Sequence, residues 1–232
     1  AAAALSSASF RPTVIGALLS GWPLDRLGRK QTLFWIGVLY AVSAVGSALA
    51  WDPLSFMLFR GLGGLAIGAS SVAAPAYIAE IAPPDRRGRL VALFQFMIVA
   101  GILIAYLSNY VLGGTGADDW RWMLGIVTLP SLAYLATTLF IPESPRWLLL
   151  NRGQADEARA ILARINPELV DETHAAIMAE AAREVRQVSW GQFFSGPLKR
   201  PISLAFLIAC FNQLSGINAI IYFAPRIFEL AG

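Results

Sequence analysis

One cysteine, Cys210, and one histidine, His174, are all that this 232-residue chain holds of either type. A lone cysteine excludes an internal disulfide and says nothing of the redox compartment. Inside an apolar run it reads as a small buried hydrophobe. A single imidazole with no cysteine or carboxylate at ligand spacing reads as a surface residue rather than a metal ligand or a catalyst. Charge is scarce too: 14% of residues are charged and 56% are hydrophobic, against about 25% and roughly 45–50% in ordinary soluble domains. There is no initiator Met and no secretory signal pattern with a basic start and a cleavage site. No nucleophile–base pair, metal-ligand cluster or phosphate loop stands out, so neither an enzyme nor a cofactor is expected. Nothing in the basic residues points to nucleic acid.

What is present is apolar length. Mean hydropathy is +0.59, and a membrane helix needs ~20 consecutive, mostly apolar residues. Six stretches qualify: Ala3–Leu24, Thr32–Ala50, Leu54–Ile81, Leu90–Leu112, Trp120–Ile141 and Ile202–Leu230. Burying several such helices together in a soluble chain of this size is implausible. The expectation is an all-α polytopic membrane protein. The first stretch is irregular, with Arg11 and Pro12 where apolar residues would serve better. An unpaired arginine there costs on the order of 3 kcal/mol on insertion scales.

Charge placement gives the topology. Arg26, Arg29 and Lys30 follow the first stretch, and Arg86, Arg87 and Arg89 follow the third. Arg146, Arg152, Arg159, Arg164, Arg183, Arg186, Lys199 and Arg200 follow the fifth. The alternate loops are short and poor in base, with Asp52 in one and Asp118, Asp119 and Arg121 in the other. This positive-inside pattern puts the three basic loops in the cytoplasm. Ala1 then falls outside, where a preceding helix would cross back, and the chain stops just after its last stretch. Both observations lead us to expect a fragment. Residues 143–199 read as a soluble linker with two or three short helices. Ala158, Ile161, Leu162 and Ile165 recur at helical spacing, as do Leu169, Ile177 and Val185, and Asn166–Pro167 breaks the two runs apart.

Three cytoplasmic clusters share a design: "GWPLDRLGRK" from Gly21, "EIAPPDRRGR" from Glu80 and "PESPRWL" from Pro142. Each puts a carboxylate within a few residues of an arginine at a helix end, with glycine or proline for the turn. One reading is solvated loops. The other pairs Asp25, Glu80 and Glu143 across helices with Arg29, Arg87 and Arg146, in a two-state latch that needs only a few kcal/mol of bias. Periodicity leaves the two even.

Five motifs in order, "DRLGRK" at Asp25, "RGLGGLAIG" at Arg60, "YIAEIAPPDRRGRL" at Tyr77, "PESPRWLLLNRG" at Pro142 and "NQLSGINAIIYFAPRIFELAG" at Asn212, resemble the sugar porter family of the major facilitator superfamily over essentially the whole chain. The resemblance implies part of a twelve-helix fold whose halves are each inverted three-plus-three repeats. Residues 1–142 correspond to helices two to six. Residues 143–199 correspond to the cytoplasmic helical linker, and 200–232 to the first helix of the other half. It favours the latch reading of the charged clusters.

The resemblance also gives the amides of "NQLSGIN" a purpose. In the family such amides, near mid-membrane, hydrogen-bond the hydroxyls of one sugar. A neutral amide suits this, since it donates and accepts from one planar group. Gln213 and Asn218 match the family pattern, as does Gln95 in "LFQFMIVAG". Asn212 stands where a glutamine is usual, one methylene shorter, which would shift sugar preference or admit a water. Tyr222 and Phe223 match an aromatic pair resembling an outer gate, with Tyr222 also among the substrate-binding candidates. Gly216 and Pro225 loosen the helix, tolerable where it lines a water-filled cavity. The structural alternative for these polar residues is hydrogen bonding between helices. Arg60, an arginine within a span, matches one that pairs with an aspartate on helix one in proton-coupled members. That helix has no counterpart here. The small residues beside Arg60 read as helix packing.

Together these imply a carrier of a hexose or pentose in the cytoplasmic membrane, working by alternating access, with proton symport and uniport both left open. An inositol or polyol carrier and a non-transporting sugar sensor are the rival readings.

Overall fold

Two of the apolar stretches break beside a proline, Pro23 and Pro130, while Pro12 and Pro75 lie inside unbroken helices. The computed structural model describes residues 2–83, 85–114, 116, 118–184 and 199–216. The first stretch is α1 (Ala2–Leu19) and α2 (Gly21–Leu27). Pro23 has no N–H to continue the ladder across Ser20, whose hydroxyl turns back to the Ala17 carbonyl at 2.8 Å. Next come α3 (Arg29–Ala48), α4 (Pro53–Ile81) and α5 (Arg87–Leu112). The following stretch divides into α6 (Asp119–Gly125) and α7 (Thr128–Phe140), because Pro130 cannot donate to Ile126 four residues earlier. Four membrane-length apolar helical stretches result among the described residues: Arg29–Ala48, Pro53–Ile81, Arg87–Leu112 and Asp119–Phe140.

At 29 residues, α4 is about 44 Å long, more than the ~30 Å of a hydrocarbon core. It starts on a capping box, with Asp52 accepting from the Ser55 N–H and Ser55 Oγ accepting from the Asp52 N–H. Its other end carries Glu80 beyond the apolar length. It packs against α1 and α3. A Cβ at Gly68 would fall on the Thr13 carbonyl, and one at Gly16 on the Leu65 carbonyl. The two backbones therefore meet with no side chain between them, as the small residues after Arg60 led us to expect. Across the α3 contact, Ser43 Oγ donates to the Phe59 carbonyl at 2.7 Å. Leu24, Leu33, Ile36, Ala66, Ala73 and Tyr77 form the buried cluster between these helices.

After Pro142 the chain forms α8 (Pro145–Trp147), a π turn (Leu148–Arg152), α9 (Ala155–Ile165), a 3-10 turn (Pro167–Leu169) and α10 (Val170–Glu184). Ala158 and Ile161 pack on Trp147, Leu148 and Leu149, with Ile165 and Ile177 at the edge. Leu169, expected on the apolar stripe, is instead exposed in the 3-10 turn: Pro167 starts a tighter helix and shifts its phase. Val185 lies outside the described residues.

The chain divides into two compact units, Ala1–Glu180 and Ala181–Gly232. In the second, α11 (Lys199–Leu214) is apolar and exposed on most sides. Cys210, expected to be buried, is exposed on it, because an apolar helix meant for membrane can turn its hydrophobes outward.

Candidate functional site

The turn between α2 and α3 holds the densest polar geometry of the first unit. Gly28 takes φ 96° there, in the region that glycine tolerates and L side chains avoid. A Cβ at this position would strike the Glu143 carboxylate and the Trp147 ring. Its absence lets Glu143 close over the first turn of α3. Glu143 Oε1 accepts from the backbone N–H of Arg29 at 2.9 Å and of Lys30 at 3.1 Å. A carboxylate at a helix N-terminus satisfies orphan donors and complements the dipole. Glu143 also takes its neighbour's amide, from Ser144, at 2.8 Å.

Arg29, which starts that helix, sends its side chain to the last turn of α4. Nε donates to Glu80 Oε2 and Nη2 to Glu80 Oε1, both at 2.8 Å, the bidentate fork that only arginine provides. Both side chains are 14% exposed. Nη1 donates to the Leu24 carbonyl at 3.0 Å and stands 3.7 Å from Asp25, which is 72% exposed and so adds little. Asp25 contributes more through its carbonyl, which accepts from Trp147 Nε1 at 2.8 Å and Asn151 Nδ2 at 3.2 Å. Lys30 Nζ donates to the Leu139 carbonyl in the last turn of α7 at 3.0 Å. Tyr77 donates its hydroxyl to the Pro142 carbonyl at 2.9 Å. Four helix ends and the start of the linker are thus tied at one place.

Arg29 stands beside Asp25 as expected, but its main partner is Glu80. Glu80 pairs with Arg29, not Arg87. Arg87 opens α5 after the turn at Pro83–Arg86 and is exposed, with no ion pair among the described residues. Glu143 engages the amides of α3. Arg146 is half-buried in α8. Sequence reasoning missed Gly28, Lys30, Tyr77 and Trp147. The signals were a glycine between two basic residues in "RLGRK" and an indole three residues after the Ser144 that caps its helix.

Arg60 is half-buried on α4 and lines a cavity of about 120 Å³ with Tyr40, Ser43, Ser47 and Leu124. Its guanidinium has no ion pair among the described residues, and the Ser47 hydroxyl is buried without a partner there. Gln95 is exposed on α5, a helix with no buried residue. Asn212 is exposed near the end of α11, its carbonyl accepting from Ser215 Oγ at 2.6 Å, and Gly216 at φ 73° follows the helix end. Gln213 belongs to α11, but its side chain lies outside the described residues, as do Asn218, Tyr222 and Phe223.

A helical domain with four membrane-length apolar stretches among the described residues and helix ends cross-tied through charge matches known carriers. The family model described as sugar (and other) transporter matches residues 3–232, so the chain belongs to that family. It is 38% identical to the galactose-proton symporter of Escherichia coli K12 over 94% of this chain and 47% of that protein. It is 37% identical to the arabinose-proton symporter of Bacillus subtilis 168, over 94% of this chain and 48% of that protein. The fold is that of the major facilitator superfamily, in part. The proton:xylose symporter XylE bound to 6-bromo-6-deoxy-D-glucose aligns with a TM-score of 0.86 at 30% identity, over 98% of this chain and 52% of that one. The inward open conformation of XylE from E. coli aligns with a TM-score of 0.79 at 29% identity, over 96% and 52%. The chain spans about half the length of the curated relatives it matches.

Proposed function

We propose that this chain is part of a carrier that moves a monosaccharide, hexose or pentose, across the cytoplasmic membrane by alternating access in symport with protons. The observation that carries the reading is the Arg29–Glu80 fork locked beside Glu143. It ties the start of α3 to the end of α4 beside the basic loops, where a charge latch between two states would sit. Truncating one partner of a buried, hydrogen-bonded charge pair costs roughly 2–5 kcal/mol, the scale that sets a two-state equilibrium. Symport with protons and a sugar cargo rest on the relatives, which are galactose- and arabinose-proton symporters.

In this reading Gln95, Asn212, Gln213 and Asn218 hydrogen-bond sugar hydroxyls, each amide both donating and accepting. Tyr222 and Phe223 close the outer side. Asp25, Arg87 and Arg146 add charge around the latch, and Arg60 answers to the proton-binding group. The test is counterflow, and uptake under an imposed proton gradient, of labelled galactose, arabinose, xylose and glucose in proteoliposomes, with the chain extended to the length of its relatives. Uptake driven by an inward proton gradient and lost in Gln213→Ala supports the reading. Folded protein that binds sugar but never transports it would be a sensor, and inositol displacing every sugar would make it a polyol carrier.

A further inference from the structure

On the side of the membrane opposite the basic loops, the link between α3 and α4 meets the first turn of α6. Trp51, Asp52, Phe56, Trp120 and Arg121 wall a hollow of about 370 Å³ there. Trp51, 79% exposed, stands at its mouth and also lines a neighbouring groove of about 470 Å³. The walls of that groove are otherwise apolar, with Val42, Val45, Leu49 and Phe59 among them. It follows α3 from Leu49 back to Val42, about 10 Å along the axis. An amphipathic hollow and an apolar groove therefore join at one indole, at the end of two membrane-length helices.

The charges at the mouth select what enters. The Arg121 guanidinium lies 4.6 Å above the Trp120 ring and donates to the Ala48 carbonyl at 3.0 Å. Asp118 stands 3.3 Å from its Nε. Trp120 meets Phe56 edge-on, ring centres 6.1 Å apart. Asp52 and Arg121 are the charged residues that line the hollow, and Asp118 and Asp119 stand beside Arg121 in sequence, so carboxylates outnumber the one guanidinium. A headgroup with phosphate alone would meet that surplus of negative charge, whereas an ammonium is drawn to the carboxylate and the indole face. A sugar would fill the hollow and leave the groove empty.

We propose that the joined hollows bind one ethanolamine glycerophospholipid. Its primary ammonium donates to Asp52 over the Trp51 face, its phosphate meets Arg121, and an acyl chain lies along Val42, Val45 and Leu49. A choline head carries the charge but has no N–H for Asp52. The site is independent of which sugar the carrier moves.

The test is native mass spectrometry of the purified carrier in micelles holding equal amounts of dioleoyl phosphatidylethanolamine, phosphatidylcholine and phosphatidylglycerol. One retained ethanolamine lipid, at least about fivefold above the other two, is expected. Asp52→Asn keeps the helix cap and Trp51→Ala removes an exposed ring, so both variants fold. Each should bring ethanolamine retention down to the level of the choline lipid. Equal retention of the three lipids, or unchanged retention in both variants, overturns the proposal.

Discussion

Arg29 and Glu80 face each other in a planar fork, Nε to Oε2 and Nη2 to Oε1, both at 2.8 Å. The geometry distinguishes charge from shape. Arg29→Lys keeps the charge and loses the fork, while Glu80→Gln leaves a guanidinium without its counter-charge. We expect Glu80→Gln to cost about 3 kcal/mol, the low end of the buried-pair range because both side chains keep some exposure. Arg29→Lys should recover only part of the wild-type stability. Thermal unfolding in detergent measures both. A double-mutant cycle with Arg29→Ala and Glu80→Ala should show coupling above about 1 kcal/mol, and coupling near zero would mean that the pair is ornamental.

Gly28 and Glu143 are coupled through space rather than through sequence. Gly28→Ala places a methyl where the carboxylate sits and forces φ 96° on an L residue. The backbone strain alone is worth roughly 1–3 kcal/mol. Because Gly28→Ala also evicts Glu143, adding Glu143→Ala to it should cost less than Glu143→Ala alone. Additive losses in melting experiments would show that the glycine serves only its own backbone.

Gln95→Ala, in the carrier extended to full length, should raise the concentration for half-maximal counterflow about fivefold to thirtyfold, the loss of one or two neutral hydrogen bonds of ~1 kcal/mol each. Asn212→Gln restores the family's usual residue and one methylene. It should alter the ratio of pentose to hexose transport. An unchanged ratio would remove Asn212 from the sugar-contacting set.

Asp52 makes the start of α4 sensitive to acid. Hydrogen bonds from the Ser55 side chain, then from its backbone amide, hold the Asp52 carboxyl below the usual carboxylate range. A carboxyl depressed by folding contributes stability fully above its unfolded pKa of about 4. That contribution is lost as pH falls through the lower folded value. The amide introduced by Asp52→Asn still caps the helix but does not titrate. The stability advantage of wild type over Asp52→Asn should therefore shrink as pH drops from neutral to below ~4. A gap that stays constant across that range would mean the cap does not depend on charge.

Helix existence was legible in sequence where a single face or a single length decides it. Ala158, Ile161 and Leu162 announce the core of α9 through spacing alone, and the long apolar runs announce α3, α4 and α5. The Arg29–Glu80 fork was not legible, because 51 residues separate the partners and Arg87 offers Glu80 a charge much closer in sequence. Only the packing of α3 on α4 decides between them. The role of Gly28 was hidden for a related reason: its constraint is a carboxylate arriving from Glu143, on the far side of five helices. The breaks before Thr128 and at Ser20 were not legible in the sequence: Pro130 and Pro23 lie beside them, but Pro12 and Pro75 lack the same N–H inside unbroken helices. The residues carried by family likeness divide between the two units, and the motif that names Asn212 and Gln213 extends past the described residues, so their geometry stayed a matter of resemblance.

The bare surface of α5 bears on how the protein is made. No residue of this helix is buried, and it is the most apolar of the four membrane-length stretches. Its backbone bonds close within the helix, so it can leave the translocon for lipid by itself. Its neighbours α3 and α4 cannot do so as cheaply. Ser43 finds the Phe59 carbonyl only when the two lie together, and Arg60 has to be sheltered. Shared burial thus favours α4 entering the bilayer with its packing partners α1 and α3, whereas α5 has less need of company.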